Sequence, residues 1–314
     1  MSDLPTATLG RTGLEVTKLG YGAMELRGAR GAIGREIDPA DATRLLNQVL
    51  DAGINFIDTS PDYGDSEELI GKSIPHRRDE FFLASKCGCP VNQPPRSPGE
   101  RPQHVFTREN VRAGVEQSLR RMKTDHLDVV QFHISPSRSL LEENASLEEL
   151  EVLRQEGKVR FIGMSGTLPN LVDHIEMGVF DEFQIPYSAV EREHEEWITK
   201  AAKAGAGTVI RGGVARGIPA GRSLNLERLP ERFRQAFQRR RDVWAQAQLG
   251  ELVGDMSTME FMLRFTITHP DMHTTIVGTS NPKHLEDNLN AARKGPLPAD
   301  VYDEAKRRLD EAAA

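Results

Sequence analysis

The stretch NFIDTSPDYGDSE, Asn55 to Glu67, starts as a buried strand and ends as a polar turn. Its apolar run stops at Asp58, and a phenol, Tyr63, follows inside the turn. A short apolar run bounded by turn residues marks a strand buried on both faces. The same unit recurs along the chain. FFLASKCG, LDVVQFH, VRFIGMSG, EFQIPYS, GTVIRGG and TTIVGTS follow it and VTKLGYGAM precedes it, which makes eight strand candidates. Segments of helical period separate them. Over Thr107 to Lys123, Val111, Val115, Leu119 and Met122 recur at spacings of four, four and three, and predict a helix with one apolar face. Ser146 followed by Glu149 predicts a capping box on the next helix. Asn281-Pro282 predicts a cap and a first-turn proline on another.

Eight strands alternating with helices, without a break in composition over 314 residues, predict a (β/α)8 TIM barrel and one domain over residues 1–314. An open doubly wound sheet is the alternative. No strand-turn-helix carries the dinucleotide glycine fingerprint, and GARGAIG, from Gly28 to Gly34, reads as a flexible polar loop. Neither a Walker sequence nor a His-Glu-x-x-His helix is present. Ahead of the first strand, TATLGRTGLEVTKLG reads as a β-hairpin turning at Arg11-Thr12-Gly13, a plug for the bottom of the barrel. After the seventh strand, the loop from Gly212 to Ser257 is long for a connection. Its basic portion RFRQAFQRRRDVW is expected as a solvated surface helix, with folding over a ligand as the alternative.

Composition narrows the function classes. Hydrophobic residues make up 38% and charged residues 28%, enough for a sizeable core and against disorder. A formal net charge of −7 gives no electrostatic reason to bind nucleic acid or an anionic membrane. The N-terminal MSDLPTATLG lacks a signal-peptide pattern, and no run approaches the roughly 18 apolar residues of a membrane span. A soluble, cytoplasmic protein is expected. Cys87 and Cys89 are one residue apart, too close for an unstrained disulfide and too few for a structural zinc site. They read as reduced thiols, and no metal is expected.

In a barrel, Asp58 ends the second strand, Lys86 the third and His133 the fourth, all at the C-terminal rim where barrel enzymes keep their chemistry. Tyr63 lies in the loop just beyond Asp58. A lone strand-end Asp usually caps a turn, a lone Lys is usually solvated and a lone His is usually structural. Together they would surround one spot. Lys86 and His133 directly follow apolar strand residues, so their polar heads would be partly desolvated unless something at the rim uses them.

The pieces FIDTSPDYG, LASKCG, VVQFH, GMSG, EFQIPYS and IVGTSNPKHLEDNLNAA, in this order and spacing, resemble the aldo-keto reductases, NAD(P)H-dependent enzymes built on a (β/α)8 barrel. The likeness runs from the hairpin to about Ala292. It implies reduction of an aldehyde or ketone, with Tyr63 as proton donor and Lys86 lowering the phenol's pKa. Asp58 would hold Lys86, and His133 would give a second hydrogen bond to the substrate oxygen. Where the family's steroid double-bond reductases carry Glu, this chain keeps His133, which implies carbonyl rather than alkene reduction.

The same resemblance implies cofactor contacts. Gln184 would hold the nicotinamide carboxamide with Ser165, the first half of a Ser-Asn pair whose second half is Gly166 here. Arg211 stands where an aromatic ring usually stacks on the nicotinamide. Its flat guanidinium can stack as well, and its charge would disfavour the oxidised, cationic ring. Thr279, Ser280 and the following helix N-terminus would hold phosphate, and Asn288 the adenine. Gly278 and Ser280 fall where Lys or Arg often stands, and His284 where Arg often stands. NADPH is expected with only modest preference, and NADH is possible. Met24 and the loop CGCPVNQPPRSPGERPQ would line the substrate pocket. The expected partner is a small aldehyde or ketone, and the expected state a monomer or weak homo-oligomer. Two other readings stay open: a cofactor-binding regulatory barrel like the subunits of potassium channels, and a barrel hydrolase or lyase without nicotinamide.

Overall fold

The computed structural model describes residues 3–29, 36–91, 103–217 and 231–313. The expected hairpin is present as β1 (Thr6–Thr8) paired antiparallel with β2 (Glu15–Thr17). All eight apolar runs then become strands: β3 (Leu19–Gly22), β4 (Phe56–Asp58), β5 (Phe82–Cys87), β6 (Leu127–Phe132), β7 (Val159–Ser165), β8 (Glu182–Pro186), β9 (Gly207–Arg211) and β10 (Thr274–Val277). They are parallel and close into a barrel, with β10 returning to pair with β3. Parallel neighbours need long crossovers. These are supplied by α1 (Pro39–Asp51), α2 (Ser66–Ser73), α3 (Arg108–Met122), α4 (Arg138–Glu143), α5 (Ser146–Gln155), α6 (Leu171–Met177), α7 (Glu195–Lys203), α8 (Glu231–Gln246) and α9 (Thr258–Thr268). The helices α10 (Pro282–Arg293) and α11 (Ala299–Ala313) follow the last strand. The structure is therefore a (β/α)8 barrel.

The hairpin forms the floor. Leu9, Leu14 and Val16 pack with Phe56, Ala84, Val129 and Val209, the inward residues of β4, β5, β6 and β9. The Arg11 amide donates to the Gly205 carbonyl at 2.7 Å, and its guanidinium to the Ala204 carbonyl at 2.8 Å. Gly10 is required by this contact, since a Cβ there would stand 2.3 Å from the Gly207 backbone nitrogen. With the floor sealed, only the opposite rim is open to carry chemistry.

The helix expected over Thr107 to Lys123 is α3. Thr107 caps it by accepting from the Asn110 amide, and Lys123 ends it at φ 52°. Its face of Val111, Val115, Leu119 and Met122 is buried. On α10 the Asn281 side chain accepts from the Lys283 amide, as expected. The capping box at Ser146 does not form. Ser146 is the first helical residue of α5, Ala145 takes the cap position at φ 49°, and the Ser146 hydroxyl donates to the Phe106 carbonyl. Glu149 turns to Arg108 and Arg112 instead. A tertiary acceptor and two cations outcompete the local box.

The basic segment after β9 is the helix α8, which docks Phe237 into the protein and pairs Arg240 with Glu191 at 2.7 Å. Residues 218–230 of that connection, most of GARGAIG and residues 92–102 of the proline-rich loop lie outside the described residues. Among the described residues, no helix is long and apolar enough to cross a membrane.

Candidate active site

The apolar strands β4 and β5 run side by side, with Asp58 opposite Ala84. This brings Asp58 and Lys86 together inside the rim. Lys86 Nζ donates to Asp58 Oδ1 at 2.8 Å, to Asp58 Oδ2 at 2.9 Å and to the Thr59 carbonyl at 2.8 Å, so all three ammonium protons are committed. Both side chains are sealed from solvent, 0% and 2% exposed. A buried pair of this kind holds only with good geometry and further hydrogen bonds, and Gln184 Nε2 adds one to Asp58 Oδ1 at 2.8 Å. Burial works against the ammonium, but Asp58 and Tyr63 outweigh it and hold the Lys86 pKa above its ordinary value.

Tyr63 sits in the turn between β4 and α2. Its amide donates to the Ser60 carbonyl at 2.9 Å and its carbonyl accepts from the Ser66 amide at 3.0 Å. Lys86 Nζ lies 5.1 Å from the centre of its ring, and the His133 ring stands edge-on to it at 6.2 Å. The expectation that Lys86 brings the phenol below its usual pKa is corrected here. Burial pushes Tyr63 up, and the opposing pull of Lys86 is the smaller effect.

His133 follows β6, held by its amide on the Cys87 carbonyl at 3.1 Å. Burial lowers its pKa to about 4, against the pull of Asp62, so the ring is neutral at neutral pH. Its Nδ1 lies 3.5 Å from Asp62 Oδ2, 3.3 Å from Cys89 Sγ and 3.1 Å from His104 Nε2. These three neighbours escaped the sequence reading, although Asp62 stands in the opening stretch beside Tyr63. Asp62 is held well below the usual carboxylate range: burial opposes this, but bonds from His104 and His133 outweigh it. The two cysteines part company. Cys87 packs in the apolar layer and Cys89 joins the histidines, and neither is in a disulfide.

Glu182, on β8, is a further residue the sequence reading missed, hidden in the run EFQIPYS. It is fully buried, and neither carboxyl oxygen makes a hydrogen bond of good geometry among the described residues, although Gln131 approaches closely enough to oppose the rise of its pKa. Burial and the nearby Asp58 push its pKa well above the ordinary value. Gly163 makes room for it, since a Cβ there would stand 2.2 Å from Glu182 Oε2.

The cofactor candidates line the next strands of the rim. Ser165 ends β7 opposite Gln184, and Arg211 ends β9 opposite Pro186. A Cβ at Gly166 would approach Leu171 Cδ1 to 2.7 Å, so Leu171 fills the room that an Asn would need. Arg211 forms no ion pair among the described residues, because Glu191 is paired with Arg240, and its buried Nε has no hydrogen-bond partner there. Burial lowers the guanidinium's pKa, with Tyr63 and Glu191 opposing. Beyond β10, Thr279 is pinned by the Tyr21 hydroxyl on its carbonyl at 2.8 Å, and Asn288 is buried on α10. Ser280 and His284 are exposed at the start of α10, whose first turn holds no acidic residue. Gly278 cannot carry a side chain in place: its Cβ would stand 2.5 Å from the Gly22 carbonyl oxygen. Met24 is half-buried in the turn after β3. An orphaned guanidinium nitrogen and a helix start free of acidic residues fit an anionic dinucleotide.

Comparison with known proteins agrees with this geometry. The model of the aldo/keto reductase family matches residues 18–310. The uncharacterized oxidoreductase YqkF of Bacillus subtilis is 27% identical, over 90% of this chain and 90% of its own. An L-galactose dehydrogenase of Arabidopsis thaliana is 26% identical, over 93% and 89%. Among solved structures, the holo form of the aldo-keto reductase AKR11C1 from Bacillus halodurans superposes with a TM-score of 0.79 at 26% identity, covering 97% of this chain and 96% of that one.

Proposed function

The chain belongs to the aldo/keto reductase family, and on that premise we propose that it reduces a small aldehyde or ketone to an alcohol with NADPH, NADH serving less well. The observation that carries this reading is the sealed Lys86–Asp58 pair set 5.1 Å from the Tyr63 ring. When bound, the nicotinamide supplies the hydride. Charge then develops on the substrate oxygen, and Tyr63 donates the proton that quenches it. A phenol kept above its usual pKa is fully protonated at neutral pH, the state a donor needs. The tyrosinate left behind faces the Lys86 ammonium, whose attraction lowers the cost of that charge, while Asp58 keeps the ammonium in place.

His133, neutral, donates a second hydrogen bond to the substrate oxygen. Gln184 has its amide nitrogen committed to Asp58, so its Oε1 accepts from the nicotinamide carboxamide, beside the Ser165 hydroxyl. Arg211 stacks on the nicotinamide ring. Thr279, Ser280 and the first amides of α10 hold phosphate, Asn288 the adenine, and His284 a 2′-phosphate. Met24 borders the substrate. Replacing Tyr63 with Phe is expected to cut turnover of 4-nitrobenzaldehyde by at least about a hundredfold while the dissociation constant for NADPH stays near that of the parent. Near-normal turnover in that variant would remove Tyr63 from the role. A parent that binds NADPH but turns over no carbonyl would favour a regulatory barrel.

A further inference from the structure

Four side chains on one side of the rim make a cluster of which carbonyl reduction, as proposed above, uses only His133. Asp62 comes from the turn after β4, Cys89 from the segment after β5, His104 from the approach to α3 and His133 from the end of β6. One donor atom of each lies within 4.8 Å of the other three. The individual separations are 3.1 Å for His104 Nε2 to His133 Nδ1, 3.1 Å for His104 Nε2 to Asp62 Oδ2 and 3.5 Å for His133 Nδ1 to Asp62 Oδ2. Cys89 Sγ stands 3.3 Å from His133 Nδ1 and 3.8 Å from His104 Nε2.

Ligands held about 2.0–2.3 Å from one ion at tetrahedral angles stand about 3.3–3.7 Å from one another. Five of the six edges, from 3.1 Å to 3.8 Å, bracket those values, and the sixth, Asp62 to Cys89, is within 4.8 Å. A hydrogen-bond network explains them less well, because a proton serves one edge of such a cluster at a time, whereas a cation serves all four donors together. We propose that Asp62, Cys89, His104 and His133 bind one divalent cation of the zinc type in a closed tetrahedral site.

The donor set selects the ion class. Two imidazoles, a thiolate and a carboxylate suit zinc and do not suit magnesium or calcium, which take oxygen ligands. Two histidines and one carboxylate alone would leave open positions for iron chemistry, and here Cys89 closes the fourth. Binding deprotonates the Cys89 thiol and releases that proton to solvent. One carboxylate and one thiolate then neutralise the dication, and the half-buried site carries no net charge.

The surroundings are those of a supported ligand set. The His104 side chain is 1% exposed, and its ring stacks on Phe106 at 6.1 Å. The Asn110 side chain donates through Nδ2 to the Cys89 carbonyl at 3.1 Å. Ser60 Oγ accepts from the Asp62 amide at 3.2 Å and lies 3.6 Å from Cys89 Sγ, where its proton can reach the sulfur. The inference departs from the expectation of two idle thiols and no metal, which treated Cys87 and Cys89 as a pair. It also has a consequence for His133. All three of its contacts in the cluster use Nδ1, so a cation there leaves the ring proton on Nε2 and fixes the tautomer that can donate to a substrate oxygen. This consequence alone rests on the role proposed above for His133; cation binding does not.

The test reads metal rather than turnover. The protein is purified from zinc-supplemented cells, desalted, and its metal measured by plasma mass spectrometry. On the order of one zinc per chain is expected, with at least a tenfold loss of bound zinc in His104→Ala and in Cys89→Ala. Stripped parent protein is then titrated with cobalt(II), which needs no variant. A thiolate-to-cobalt charge-transfer band with the intense visible bands of a tetrahedral ion is expected, and the charge-transfer band should vanish in Cys89→Ala. Circular dichroism checks that both variants fold. A parent that retains no zinc and gives no thiolate–cobalt band overturns the proposal, as do folded variants that bind as the parent does.

Discussion

Lys86 Nζ stands 2.8 Å and 2.9 Å from the two carboxylate oxygens of Asp58, with both side chains closed to water. Removing one partner of such a pair leaves the other as a buried, uncompensated charge and costs about 3–5 kcal/mol. The ammonium therefore serves two ends, balancing Asp58 below and attracting the Tyr63 phenolate beside it.

Lys86→Met removes both at once, and the pH profile reads the second. Loss of the ammonium lets the Tyr63 pKa rise further above its ordinary value, since Lys86 supplies the largest opposing pull. Alcohol oxidation needs the deprotonated phenol, so its rising limb should move to higher pH and its rate near neutrality should fall most. Rates at saturating cofactor across the pH range, on protein shown to be folded, measure this. A profile that keeps the parent's limb would make Lys86 purely structural.

Arg211 carries a guanidinium with no ion pair among the described residues and an orphaned Nε. A half-buried charge with a sealed, unpartnered Nε is costly. Arg211→Met is expected to unfold at higher denaturant concentration than the parent, by about 1 kcal/mol or more, and to bind NADPH more weakly. Paired urea titrations and fluorescence quenching measure both. A less stable variant would show that the parent guanidinium has a stabilising partner after all.

Glu182 should impose a pH slope on stability. Its folded pKa lies well above the ordinary 4.5, so above that value the folded state holds a proton that the unfolded chain has released. Stability from this group is complete below about pH 4.5 and declines as pH rises through the folded pKa, by at most about 1.4 kcal/mol per pH unit. Glu182→Gln removes the slope and should gain on the parent between pH 5 and pH 8. Unfolding free energies at three pH values would show it; parallel curves would place the ionised carboxylate in the folded core.

Cofactor preference can be moved at one position and not at another. His284 is exposed at the start of α10, and His284→Arg should shift the NADPH-to-NADH preference by about 1 kcal/mol, roughly fivefold. Gly278→Ala should gain nothing and destabilise by about 1–3 kcal/mol, because its Cβ meets the Gly22 carbonyl. Dissociation constants for both cofactors, with melting curves, check the pair. An unchanged ratio in His284→Arg would move the 2′-phosphate elsewhere.

The sequence alone determined the elements and their order. Strand and helix periods are local properties, so the eight apolar runs, the face of α3 and the Asn281 cap could all be read without neighbours. The barrel rule then placed Asp58, Tyr63, Lys86 and His133 at one rim, because strand ends share a level once strands are parallel. Only the tertiary structure decided what those side chains feel. Desolvation and tertiary contact are sums over atoms brought from distant chain, which is why burial overcomes Lys86 at Tyr63, why the Glu182 pKa rises, and why the Ser146 hydroxyl leaves its box for Phe106. The meeting of Asp62, Cys89, His104 and His133 is of the same kind. Their spacing along the chain follows no motif, and two crossovers, from β4 to β5 and from β5 to β6, must close before the four donors face one another.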